Sequence, residues 1–153
     1  MNENTKPLKW HNFLIYFALW AKALSTLIDA LNVFIGTHPH YGEMKSSIYQ
    51  AAPSLRLLDI FAGMFMICLS VYAVYTRFQL AEFKKNAPDK LLYLYAAGTA
   101  LSIIYLLIFA AVLGLPLKLL FSVKGILPKL IALVIILFIN KKYYDNRKEL
   151  FVN

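Results

Sequence analysis

The sequence predicts an all-α membrane protein in which four transmembrane helices form a bundle. Of its 153 residues, 60% are hydrophobic and only 16% are charged, whereas about a quarter of the residues in a soluble domain are charged. The apolar residues are also gathered into runs of about 20 residues, the length that a helix needs to cross a hydrocarbon core of about 30 Å. We therefore expect residues 1–153 to form a single integral, multi-pass domain in a cell membrane.

Each of the four apolar runs predicts one helix. The first has the outline of a signal peptide, but its apolar pattern continues to Ile35, which is long enough to span. The last run, Leu130 to Ile139, is short, and a full span must also use the preceding segment with Pro128, a residue that kinks a helix interior. We expect a bent start to this helix, with residues 117–123 along the membrane surface. The predicted helices cover about residues 12–36, 54–77, 91–114 and 121–142, followed by a basic tail at 141–153.

The distribution of basic residues predicts the orientation. Two lysines precede the first helix, four basic residues lie in the segment after the second, and four follow the last, which makes ten on one side against five on the other. Cytoplasmic flanks carry the excess of Lys and Arg, so both termini are expected in the cytoplasm. The net charge of +8 then favours anionic lipid at the cytoplasmic face as a partner, rather than nucleic acid. The tail anchors the chain on this lipid or, alternatively, docks a protein partner.

The cytoplasmic loop and the tail carry recognisable segments. The loop contains Arg77 to Ala81 and Pro88, and the tail contains Tyr143-Tyr144, Arg147 and Leu150-Phe151. These segments resemble a group of small four-helix membrane proteins of Gram-positive bacteria with a basic tail of the YYxxRxxLF type. Some members of that group carry an added zinc ribbon, which this chain lacks. The resemblance covers a minority of the chain and implies the topology and a bacterial plasma membrane, with no particular activity.

Several chemical classes are disfavoured by the sequence. Cys68 is the only cysteine, so neither an intrachain disulfide nor a paired-cysteine redox centre can form. His38 and His40 stand near Glu43 in the first outer loop and could be metal ligands. Three possible ligands in one loop, however, indicate an ordinary polar loop more simply than a metal site. No zinc-protease, nucleophile-elbow or phosphate-loop motif is present. We therefore expect no enzymatic activity, no cofactor and no metal.

Polar residues from all four predicted helices converge on the outer half of the membrane. With a rise of about 1.5 Å per residue, Lys22, Ser102 and Lys129 lie roughly 15 to 18 Å from the inner edge. The carboxylates Asp29 and Asp59 lie higher, at roughly 25 to 27 Å. Within each helix, the polar residues are spaced three or four positions apart, which places them on the inward face of a packed helix. The candidate intramembrane polar site comprises Lys22, Ser25, Asp29, Arg56, Asp59, Ser102 and Lys129.

Two interpretations of this site remain open. In the first, the carboxylates and cations form an internal ion-pair network that fixes helix register. The chain is then a non-enzymatic accessory, regulatory or interaction subunit, with a protein partner or as a homo-oligomer. In the second, three cations exceed two carboxylates, and the unmatched cation binds an anion or titrates a proton. The chain is then a small transporter or binding protein for an anionic solute, a lipid head group or protons.

Overall fold

Helices dominate the computed structural model of the chain. It describes residues 8–35, 45–116, 118, 121 and 126–152, and no strand occurs among these residues. Four of the helices are long, and a short one precedes the second of them. The bounds are Lys9–Ile35 (α1), Lys45–Ala51 (α2), Ser54–Ala81 (α3), Ala87–Leu113 (α4) and Ile126–Asp145 (α5), followed by a 3₁₀ turn at Lys148–Leu150.

Three of these helices, α1, α3 and α4, are long and apolar enough to cross a membrane, by their length and composition. Within the described residues α5 does not join this group, because Lys129, Lys141 and Lys142 fall in every window of 18 residues along it. The predicted membrane protein is thus supported by three candidate spans, and the fourth span stays a prediction.

The helix boundaries differ from the predicted ones in several places, including the start of α4 at Ala87 and the end of α5 at Asp145. The first helix starts at Lys9 rather than near residue 12, so His11 lies in its first turns. The second long helix continues to Ala81 rather than ending near residue 77. The short helix Lys45–Ala51 was not predicted at all. The predicted surface segment 117–123 lies almost entirely outside the described residues.

The long helices pack in sequence order, with α3 against α1 and α4, and α5 against α4. Ser70 of α3 donates a hydrogen bond of 2.8 Å to the carbonyl oxygen of Ala23 in α1, a polar contact of the kind that joins helices in lipid. Gly63 of α3 permits close approach, because a Cβ atom there would lie 3.0 Å from the Phe34 ring of α1.

The ends of α4 follow familiar capping rules. Pro88 stands in the first turn, where a missing N–H costs no helical hydrogen bond, and Asp89 places a negative charge near the positive end of the helix dipole. Gly114 ends the helix with a φ of +64°, a left-handed conformation that glycine adopts without steric penalty. The N–H of Leu115 then donates 2.9 Å to the carbonyl oxygen of Ala110.

The start of α1, the loop between α3 and α4, and the end of α5 meet at one end of the molecule in what we call the terminal cluster. His11 is stacked on Phe83 with ring centroids 4.9 Å apart, and its Nδ1 lies 3.2 Å from the Tyr144 hydroxyl. Phe151, only 5% exposed, packs edge-on against His11 and Tyr144. The tail therefore folds back onto its own chain. The terminal cluster comprises His11, Phe83, Tyr143, Tyr144 and Phe151.

Two local distortions of the backbone lie at this end of the molecule. Phe83 has a φ of +52°, a conformation that a bulky residue rarely adopts and that aims its ring at His11. In α1, residues Leu14–Ala18 form a π-helical turn, and the carbonyl oxygen of Ile15 in that turn accepts a 3.1 Å hydrogen bond from Arg77 Nε. The Arg77 guanidinium also lies over the Trp20 ring.

Candidate functional site

Lys22 is the middle residue of the Lys9–Ile35 helix, with 13 residues on either side. At 1.5 Å per residue, its Cα therefore lies roughly 20 Å from each end of α1. Its side chain reaches α4 at Gly98, where a Cβ atom would lie 4.0 Å from the Lys22 Nζ. Within the described part of the chain, no hydrogen bond or ion pair reaches this ammonium group. A charge at this depth is expensive unless something compensates it.

A second ammonium group, that of a lysine in α5, reaches the same part of α4. Lys129 of α5 donates a hydrogen bond to the Ser102 hydroxyl, and Ser102 lies one turn beyond Gly98. Lys22 and Lys129 both line a cavity of about 330 Å³ between α1, α4 and α5. We call this cavity the lysine crevice. Its other lining residues are Tyr95, Gly98, Thr99, Ser102, Ala132, Leu133 and Ile136.

Lys22 also lines a second cavity, of about 240 Å³, on the opposite side between α1, α3 and α4. Gly98 and Ser102 are shared with the lysine crevice, while Asp29, Thr26 and Tyr105 belong to this second cavity alone. Asp29 is exposed and makes no ion pair with any residue that the structure describes. We call this space the Asp29 cavity. The internal ion-pair network predicts that Asp29 pairs with Lys22, Arg56 or Lys129, and none of these pairs is seen among the described residues.

The remaining carboxylate, Asp59, lies elsewhere and is held differently. It is only 1% exposed and accepts hydrogen bonds of 2.6 Å from the Tyr49 hydroxyl and 2.7 Å from the Tyr105 hydroxyl. Both distances lie within the normal range for O–H···O hydrogen bonds. Arg56 is exposed and lines a third cavity, of about 350 Å³, beside Asp59 and Tyr49.

The structure thus divides the predicted site. Lys22, Ser102 and Lys129 come together around the lysine crevice, and Asp29 reaches Lys22 through the adjoining cavity. Asp59 and Arg56 line a separate cavity near the start of α3. Ser25 takes no part in the described lining of either lysine cavity, because its hydroxyl donates 3.1 Å to the carbonyl oxygen of Lys22 within α1.

Tyr49 was missed because the short helix that carries it was not predicted. This helix has only seven residues, and its one signal in the sequence is Pro53, which stands two positions after its last residue. The loop residues His38, His40 and Glu43 lie outside the described residues, so that metal hypothesis receives no structural account. Among the residues that are described, no group of three or more histidine, cysteine or acidic side chains could hold a metal ion.

The comparisons with known proteins give no family. No protein-family model, no curated protein and no solved structure matches this chain. The resemblance of its loop and tail to small four-helix membrane proteins therefore stays a prediction, and the site has to be interpreted from its own geometry.

Proposed function

We propose that this chain is a four-helix membrane protein that binds an anionic group in the lysine crevice, as a non-enzymatic binding protein with both termini in the cytoplasm. The observation that carries the proposal is the Lys22 ammonium group. It stands at the centre of the most N-terminal span, lines two cavities, and has no partner in the described part of the chain. An anion that pairs with it would offset the cost of its charge in hydrocarbon.

The composition of the crevice supports an anion over a cation. Its charged groups are Lys22 and Lys129, and its lining also includes Ser102, whose hydroxyl can donate or accept a hydrogen bond. The other walls are apolar or weakly polar, which strengthens electrostatic interactions by excluding water. A phosphate or carboxylate group can accept hydrogen bonds from two ammonium groups, and charge-assisted bonds of this type are roughly twice as strong as neutral ones.

Access to the crevice is closed at the end of the molecule that holds the terminal cluster. There, Trp10 Nε1 donates 3.1 Å to Asn140 Oδ1, and the backbone N–H of His11 donates 3.3 Å to the Tyr143 hydroxyl, so α1 and α5 are joined. The core between these contacts and Lys22 is apolar and includes Leu14, Leu19 and Leu94. A ligand therefore enters from the lipid or the outer side, and the described conformation favours binding over free passage.

The same crevice supports the accessory-subunit interpretation as a second proposal. A transmembrane helix of a partner, or of a second copy, could bring a carboxylate to Lys22 and cover the gap between α1 and α5. In that case purified protein should respond weakly to small anions and should copurify with its partner at fixed stoichiometry.

Ligand-induced stabilisation tests the anion-binding proposal. A ligand that binds only the folded state raises stability by about 2.7 kcal/mol at 100 times its Kd. We expect phosphate- and carboxylate-bearing lipids and solutes to raise the Tm of the purified protein in detergent, and Lys22→Met to abolish that rise while the protein stays folded. Lys9→Met is the matched control, because Lys9 is an exposed lysine at the start of the same helix.

The control variant should keep the wild-type response to anions. Equal responses of wild type and Lys22→Met would show that the anions act elsewhere, most simply on the exposed basic tail. If no anion stabilises the wild-type protein, the binding proposal is wrong and the accessory subunit is the better account.

A further inference from the structure

The Asp29 cavity holds one charge of each sign without an ion pair between them. Lys22 and Asp29 both line it, and neither has an ion-pair partner among the residues that the structure describes. Two opposite charges that share a cavity normally pair directly if their side chains can meet. Here the cavity separates them, so it presents a positive end and a negative end to whatever occupies it.

The separation between the two charges restricts the occupant. Lys22 and Asp29 are seven residues apart on one helix face, which places their Cα atoms roughly 10 Å apart along the axis. A ligand that contacts both side chains therefore carries its negative group toward Lys22 and its positive group toward Asp29.

We infer that the ligand is a zwitterion that carries a phosphate and a primary ammonium group, as in an ethanolamine phosphate head group. This inference rests on the proposed anion binding and adds the ligand's class. The phosphate lies at Lys22 and Ser102, which line both cavities, and the ammonium group lies at Asp29. The Tyr105 ring in the same cavity offers a further favourable surface for the cation.

The size and position of the cavities favour a head group as the occupant. Volumes of about 240 and 330 Å³ lie at or below the lower end of the range for small-molecule sites. They accommodate a head group but not a complete lipid, whose acyl chains would remain in the bilayer. Free ethanolamine phosphate carries the same charges, so a soluble ligand has the same recognition chemistry.

Binding of four probes to the purified full-length chain tests this inference: lysophosphatidylethanolamine, lysophosphatidylglycerol, ethanolamine phosphate and inorganic phosphate. We expect the wild-type protein to bind the ethanolamine lipid at least about tenfold more tightly than the glycerol lipid, a difference of about 1.4 kcal/mol. Asp29→Asn should remove this preference and leave the affinity for the glycerol lipid unchanged. Asp89→Asn, which changes an exposed aspartate at the start of α4, should behave like wild type.

The outcomes separate this inference from the proposal on which it rests. Equal affinity for the two lipids, or a preference that survives Asp29→Asn, overturns the zwitterion while anion binding stands. Loss of binding of every probe, in wild type as in Lys22→Met, overturns both. Tight binding of free ethanolamine phosphate, with the same dependence on Asp29, supports a soluble zwitterion. Tighter binding of the lipid, with that dependence, supports a membrane lipid.

Discussion

At the scale of single residues, Asp59 shows how this chain holds a buried carboxylate with hydroxyl groups. Tyr49 comes from α2 and Tyr105 from α4, while Asp59 itself belongs to α3. Three helices are therefore joined at one side chain. Leaving a buried polar group without its hydrogen-bond partner costs about 1 to 3 kcal/mol, which is a large fraction of the stability of a small protein.

Removing either hydroxyl group should lower stability. We expect Tyr49→Phe and Tyr105→Phe each to reduce the free energy of unfolding by about 1 to 3 kcal/mol, because each removes one donor to a buried carboxylate and leaves the ring in place. Tyr93→Phe is the control, since Tyr93 is 66% exposed and should change stability by no more than about 0.5 kcal/mol. Reversible denaturation in mixed micelles measures the difference. Identical curves for all three variants would mean that the hydroxyl groups are hydrated rather than bound to Asp59.

At the scale of helices and loops, the terminal cluster joins segments that are far apart in the sequence. His11 and Tyr144 are separated by 133 positions, and the tail adds Phe151 to their contact. The strained φ of Phe83 costs about 1 to 3 kcal/mol and persists because the surrounding packing determines it. These contacts hold the start of α1 to the end of α5, and they also close one end of the lysine crevice.

The tail should therefore contribute to folding rather than serve only as a charged anchor. Phe151→Ala removes a ring that is 5% exposed, and we expect a loss of about 3 to 5 kcal/mol in the free energy of unfolding. Its neighbour Val152 is 73% exposed, so Val152→Ala should have little effect. Thermal unfolding followed by circular dichroism compares the two variants. A Phe151→Ala protein as stable as Val152→Ala would contradict the packing of the tail.

The elements differ in how far the sequence predicts them. Long apolar runs predicted α1, α3 and α4 because a span requires length and apolarity, which can be counted. Depth along each helix placed Lys22, Ser102 and Lys129 at one level, and the structure brings these three together. The tyrosine partners of Asp59 and the terminal cluster could not be predicted, since both depend on how distant segments pack.

At the scale of the whole molecule, the two ends of the helix assembly have different characters. The end with the terminal cluster is closed by aromatic packing and by hydrogen bonds from α1 to α5. The central and opposite parts contain the two lysine cavities and the cavity beside Asp59. In this arrangement an anionic ligand could reach Lys22 from the open side, whereas the apolar core separates Lys22 from the end that holds the terminal cluster.

This asymmetry depends on the orientation, which cysteine labelling can determine. We expect a membrane-impermeant thiol reagent, added to intact cells, to modify Ser47→Cys and to leave Asn86→Cys unmodified. The reason is the excess of basic residues around the N-terminus, the loop after α3 and the tail, which predicts that those segments lie in the cytoplasm. Both positions are exposed, and the exposed Cys68 is first replaced by alanine to remove background labelling. Permeabilised cells should label at both positions, which controls for reactivity. Labelling of position 86 alone in intact cells would show that the topology is the reverse of the predicted one. The entrance to the lysine crevice would then lie on the cytoplasmic side.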